Sequence, residues 1–71
     1  MTLGEYRVML GWSPSELARR AGVSTRTINR IEDGRPTYDY TLGAIVRVIS
    51  AELGRTVTIN DLEGANIIRT T

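Results

Sequence analysis

The sequence predicts an all-α fold, a single small domain of five helices, and three observations carry that expectation. Glycines fall at helix-length intervals: Gly11, Gly22, Gly34 and Gly54 each close an apolar-periodic run, as a glycine just past a helix C-terminus does. Start signals stand between them. Ser13-Pro14-Ser15-Glu16 joins a capping box to proline at the first helical position, and Thr58-Ile59-Asn60-Asp61 repeats the box with Asp in place of Glu. Apolar residues recur between these signals at the spacing of one helix face.

The first helix is expected over residues 2–10, with Leu3, Tyr6 and Leu10 on one face. The second, 14–21, carries Leu17, Ala18 and Ala21, and Trp12 with Leu17 forms a hydrophobic staple across its start. Ser24 caps the third, 25–32, with Val23 and Ile28 as its staple and Ile28 and Ile31 facing inward. Thr37, or alternatively Thr41, opens the fourth, 38–53, with Leu42, Ile45, Val48 and Ile49 on its face. Residues 44–49 are β-branched enough for a strand, as are 56–59. The first of these stretches is read as helix because its apolar positions run on to Leu53 without turn residues. A fifth helix is placed at 59–63. Residues 1–64 then form the domain and 65–71 a tail, whose Ile67-Ile68 pair is apolar enough to dock.

Composition excludes several functions. With no Cys and no His, the chain lacks thiolate chemistry, disulfides, the commonest general base and the ligands of a structural zinc site. An enzyme is not expected, nor a cofactor or a metal. No apolar run approaches a membrane span and no signal peptide opens the chain, so a cytoplasmic protein without membrane contact is expected. The nine basic residues are all Arg against eight acids. Residues 19–35 hold five arginines against Glu32 and Asp33, a local net of +3, whereas the rest carries four against six, a net of −2. A basic stretch on a slightly acidic domain is the footprint of an anionic partner at one face.

Two short helices joined through Ala21-Gly22-Val23 are the informative unit, because a tight turn containing Gly sets two helices at a steep angle. Gly22 is expected at positive φ and Ala18 at the helix crossing. The motif Leu17-Ala18-x-x-Ala21-Gly22-Val23-Ser24-x-x-x-Ile28-x-x-Ile31-Glu32-x-Gly34 closely resembles the helix-turn-helix of the lambda repressor/Cro-like (XRE) family, over about Leu3 to Leu62. The resemblance implies a compact five-helix DNA-binding domain, with the third helix in the major groove and Ser13 and the second helix's start at the DNA backbone. It also implies an ion pair between Arg7 and Glu32, which stand at matching positions. The chain departs from the family pattern at Pro14, where many members carry Gln, and in two longer segments, 35–40 and 54–58.

Helical geometry selects a reading face independently. At about 100° per residue, Ile28 and Ile31 point inward together, which leaves Arg26, Asn29, Arg30 and Asp33 outside, with Thr25 projecting past the helix end. Arg26 and Arg30 suit guanine and Asn29 suits adenine. Arg26 has no acid at i±3 or i±4, whereas Arg30 has Asp33 within reach. Ser13, Ser24, Arg35, Thr37, Tyr38 and Tyr40 are the candidate backbone contacts. Trp12 is assigned to the core and not to a stacking platform. The expected partner is double-stranded DNA, bound by a homodimer on an inverted repeat, and the expected role is a small transcription regulator, most like a repressor. No small-molecule ligand is implied. The alternative is a protein-interaction module, such as an antitoxin or a bridging factor, on the same fold.

Overall fold

Each helix begins where an oxygen can take up a free backbone amide. In the computed structural model, which describes residues 1–70, Thr2 caps α1 (Leu3–Met9). Thr2 Oγ1 accepts from the Glu5 amide at 3.1 Å and the Glu5 carboxylate accepts from the Thr2 amide at 2.7 Å, a full capping box. Ser13 caps α2 (Pro14–Ala21) by accepting from the Glu16 amide at 3.1 Å. The Glu16 carboxylate does not complete the expected box there, because it turns to Arg19 and Arg20 on its own helix. Gly22 ends α2 at φ 72°, a conformation in which a Cβ would be strained. Ser24 caps α3 (Thr25–Glu32) through the Thr27 amide at 3.1 Å.

Two expectations are corrected beyond this point. Among the described residues the framework has four α-helices and one short 3-10 turn, not five helices. The turn covers Ile59–Asp61, and Leu62 leaves it in an extended conformation that carries its side chain into the core. The Thr58 and Asp61 box does form, with the Thr58 amide donating to Asp61 at 2.9 Å. Neither Thr37 nor Thr41 opens the fourth helix. α4 (Asp39–Leu53) starts after Tyr38, which gives no side-chain cap, and the Tyr40 amide donates to the Asp39 carboxylate at 2.8 Å instead.

The reason is a pair of strands. Residues Pro36–Tyr38 form β1 and Asn66–Ile68 form β2, paired in parallel with Pro36 opposite Asn66, Thr37 opposite Ile67 and Tyr38 opposite Ile68. A parallel pair needs a long crossover, and α4 with the 3-10 turn supplies it. The segment that is longer than the family pattern, 35–40, is thus an extended strand and a helix start. Ile67 packs on the chain's own core, so that half of the apolar tail is used internally, whereas Ile68 is exposed. Thr71, the last residue of the expected tail, lies outside the described residues.

The core is one cluster drawn from every helix. Leu17, Ile28, Leu42, Ile45 and Ile49 are fully buried, with Leu3, Tyr6, Trp12, Ala18, Ile31, Val46, Val57 and Leu62 around them. Burying each large aliphatic side chain contributes about 1.5–3 kcal/mol. α2 packs most extensively on α3, and α4 backs both. The connection after Gly54 is secured by Ser50, whose hydroxyl accepts from the Val57 amide at 2.8 Å and donates to the Val57 carbonyl at 3.2 Å. Arg7 of α1 ties to Glu32 at the end of α3. Its Nε donates to Oε2 at 2.8 Å, Nη2 donates to Oε1 at 3.1 Å, and Nη1 donates to the Trp12 carbonyl at 2.9 Å. Among the described residues no helix is long and apolar enough to cross a membrane.

Candidate nucleic-acid interface

The inward side of α3 is settled by Ile28 and Ile31, both buried, so Arg26, Asn29 and Arg30 stand in solvent on the opposite side. Thr25 is half-buried at the start of the helix, and its hydroxyl leans to Ser15 of α2 at 3.4 Å, joining the N-termini of the two helices. Ser24 and Thr27 share a hydrogen bond at 2.9 Å. Two hydroxyls that share one bond leave one proton to donate outward. Ser13 uses its oxygen as a cap and likewise keeps its own proton for an acceptor in solution. Donors are therefore presented at the starts of both helices, where phosphate oxygens are favoured.

Pairing in the folded chain redistributes the charge that the sequence shows as one basic stretch. Arg19 bonds to Glu16, and Arg20 bonds to Glu16 at 2.7 Å while approaching Glu52 at 3.7 Å. The Arg20 guanidinium also lies 4.5 Å from the centre of the Trp12 ring, a cation–π contact on a core residue. The two guanidiniums, Arg19 foremost, hold the Glu16 carboxyl below the usual carboxylate range. Glu32 is tied to Arg7, and that bond raises the arginine's already high pKa. Among the described residues, Arg26, Arg30 and Arg35 enter no ion pair, including the Arg30–Asp33 pair that the sequence allows. Three unpaired arginines thereby stand together on α3 and the residue that leads from it into β1, while Arg47, Arg55 and Arg69 are likewise without an ion pair elsewhere among the described residues.

Beside that helix runs a cleft of about 170 Å³ lined by Thr27, Arg30, Pro36, Thr37, Tyr38 and Thr41. Neither Thr27 nor Thr41 is marked as a contact by the sequence; Thr27 stands one helical turn from Arg30 on α3, and only the fold brings Thr41 beside them. The Thr37 hydroxyl donates to the Arg35 carbonyl at 3.2 Å, which turns it back on its own chain. Tyr38 and Tyr40, 49% and 66% exposed, stack with ring centroids 5.3 Å apart. Trp12 is buried, as its staple position requires. The described residues hold no group of three or more acids able to bind a metal ion.

A family model described as helix-turn-helix matches residues 3–54, more than half of the chain. Neither the curated proteins nor the solved structures yielded a match. The match runs through the capped helix pair, the Gly22 turn and all of α4, and the exposed face of α3 is the element through which such a pair meets DNA. The chain belongs to the helix-turn-helix family, of the lambda repressor/Cro-like (XRE) type, and is a DNA-binding domain of the transcription-regulator class.

Proposed function

We propose that this domain reads a specific double-stranded DNA sequence with α3 in the major groove and acts as a small repressor of transcription. The observation that carries the reading is the set of side chains on the outer face of α3: Arg26, Asn29 and Arg30 are exposed, and among the described residues neither arginine is engaged by an acid. A guanidinium in a groove finds its planar acceptor pair at guanine O6 and N7, and the Asn29 amide matches adenine N6 and N7. Thr25 reaches the neighbouring base edge from the first turn. Ser13 and Ser24 hold phosphates on one side of the helix, and Arg35, Tyr38 and Tyr40 on the other. Thr37 joins that second group once its hydroxyl swings away from the Arg35 carbonyl. Two copies on an inverted repeat complete the complex.

Selection of bound sequences from random duplexes tests this directly. Enrichment of an inverted repeat with guanine at fixed positions in each half-site is the expected result. The competing reading is a protein-interaction module, such as an antitoxin or a bridging factor. It has one observation in its favour, the exposure of Val8 and Met9 on α1. Failure to enrich any motif, with affinity for bulk duplex insensitive to salt, decides for that reading, because every neutralised phosphate makes DNA binding salt-dependent.

A further inference from the structure

Residues 65–70 lie beyond the family match, which ends at residue 54, yet they supply the strand partner of β1. β1 follows α3 after three residues and leads straight into α4, and it lines the cleft beside Arg30. A three-residue strand has too few local bonds to hold itself extended, because even a two-stranded pair is marginal in water. The C-terminal segment is fastened at three points around that strand. Ile67 packs on the core. Asp39, at the start of α4, accepts from the Thr70 amide at 3.1 Å and from its hydroxyl at 2.9 Å. Arg69 donates to Asn60 at 2.8 Å. Register sets Ile68 opposite Tyr38, on the same face of the ladder, next to the stacked tyrosines.

From this arrangement we infer that residues 65–70 are a positioning element for DNA binding, holding β1 extended so that Arg35, Tyr38 and Tyr40 meet the DNA backbone beside α3. The inference rests on the DNA-binding reading above and adds to it a segment that touches no DNA. The tail reaches the DNA-facing side through its pairing with β1, so it governs phosphate contacts and leaves base preference to α3. Its side-chain bonds are solvent-exposed, as those of a readily released segment are.

The test uses the full chain with Ile67→Asn, which removes the apolar packing without adding charge, and Ile68→Asn as the matched change on the exposed side. Amide exchange at Thr37 is followed without DNA, and affinity for the selected duplex is measured at several salt concentrations. Ile67→Asn is expected to speed exchange at Thr37 and to keep the helical spectrum and the selected motif. It should also bind about tenfold more weakly, with a salt slope shallower by about 0.9 for each phosphate no longer neutralised. Ile68→Asn is expected to match the parent in exchange at Thr37. Unchanged exchange in Ile67→Asn overturns the claim that the tail holds β1. Faster exchange with unchanged affinity and slope overturns the claim that this matters to DNA. A parent that selects no duplex overturns the DNA reading itself, and with it the role of the tail, whatever the exchange shows. Should Ile67→Asn lose the helices, Asp39→Ala removes the bonds to Thr70 and one local bond to Tyr40. It is followed by the same two measurements, and the same results support or overturn the role of the tail.

Discussion

Arg7 directs three donors inward, two to Glu32 and one to the Trp12 carbonyl, and its side chain is only 16% exposed beside a Glu32 side chain at 22%. Burial of that degree places the pair between an exposed bridge and a fully buried one. Glu32→Ala should therefore destabilise the fold by about 1–3 kcal/mol, more than the roughly 0–1 of a surface pair. Urea unfolding measures it, and a loss of a few tenths would show that the pair is idle. Arg7→Lys should lose most of the same amount, because an ammonium cannot reproduce a two-pronged grip. Arg26 has the reverse exposure and no acid partner among the described residues, so Arg26→Ala should leave unfolding within about 0.5 kcal/mol of the parent. On the selected duplex the same variant should lose about 1–3 kcal/mol and flatten preference at one base pair. Comparing the selected site with single-base variants at two salt concentrations separates the roles. Uniform weakening with a shallower salt slope would make Arg26 a phosphate contact, and unchanged binding would remove α3 as the reading element.

At the scale of elements, the helix pair is held by local signals and the strand pair by distant ones. Ser24→Ala removes the cap of α3 and should cost about 1 kcal/mol of stability, since the Thr27 amide loses its acceptor. A melting curve that does not move would mean that water replaces the hydroxyl without loss. β1 and β2 respond to acid through Asp39. The Thr70 amide foremost, and then the Thr70 hydroxyl, hold the Asp39 carboxyl below its ordinary value. A carboxyl with a lowered folded pKa contributes stability that is complete above the ordinary value of about 3.9 and fades as pH falls through the folded one. The tail contact should thus be intact from neutrality down to the ordinary range of an aspartic acid and release below it. Following the Thr70 amide by NMR during acid titration checks this, and Asp39→Asn should abolish the inflection. An inflection that survives in Asp39→Asn would assign the release to another carboxyl.

For the whole molecule, size argues for two copies on DNA. The longest dimension of the domain is 29 Å, less than the roughly 34 Å between successive major-groove faces of one side of the duplex. One copy therefore presents one reading helix to one groove. Sedimentation with the selected duplex should give two chains per duplex at saturation, and one chain per duplex would rule out the homodimer. Because Ile67 packs within its own chain, only Ile68 of the apolar Ile67-Ile68 pair is left exposed. The total charge of +1 is too small to attract DNA by itself. The relevant quantity is the local set Arg26, Arg30 and Arg35, which enter no ion pair among the described residues, whereas Glu16, Glu32 and Glu52 engage Arg19, Arg7 and Arg20.

How much was legible along the chain follows from range. The starts and ends of α2 and α3 depend on residues within a turn of one another, such as Ser13 with Glu16, Ser24 with Thr27, and Gly22 closing the first of the pair. Local chemistry therefore set the helix pair, its buried side through Ile28 and Ile31, and which side chains remain for a groove. Periodicity also separated α4 from a strand, since a face that continues from Leu42 to Ile49 and on to Leu53 cannot alternate. Long-range packing was needed to make residues 36–38 extended, to return the last apolar residues to meet them, and to have Asp39 and not a threonine serve the start of α4. A three-residue strand is too short to show a period of two, and its partner lies at the far side of a whole helix. Packing also determined which arginines are neutralised. Arg20 meets Trp12 and Glu52, and Arg7 meets Glu32, only once the chain has folded. An arginine's availability depends on the acids that packing brings within a few ångströms, and sequence spacing records those only along a single helix.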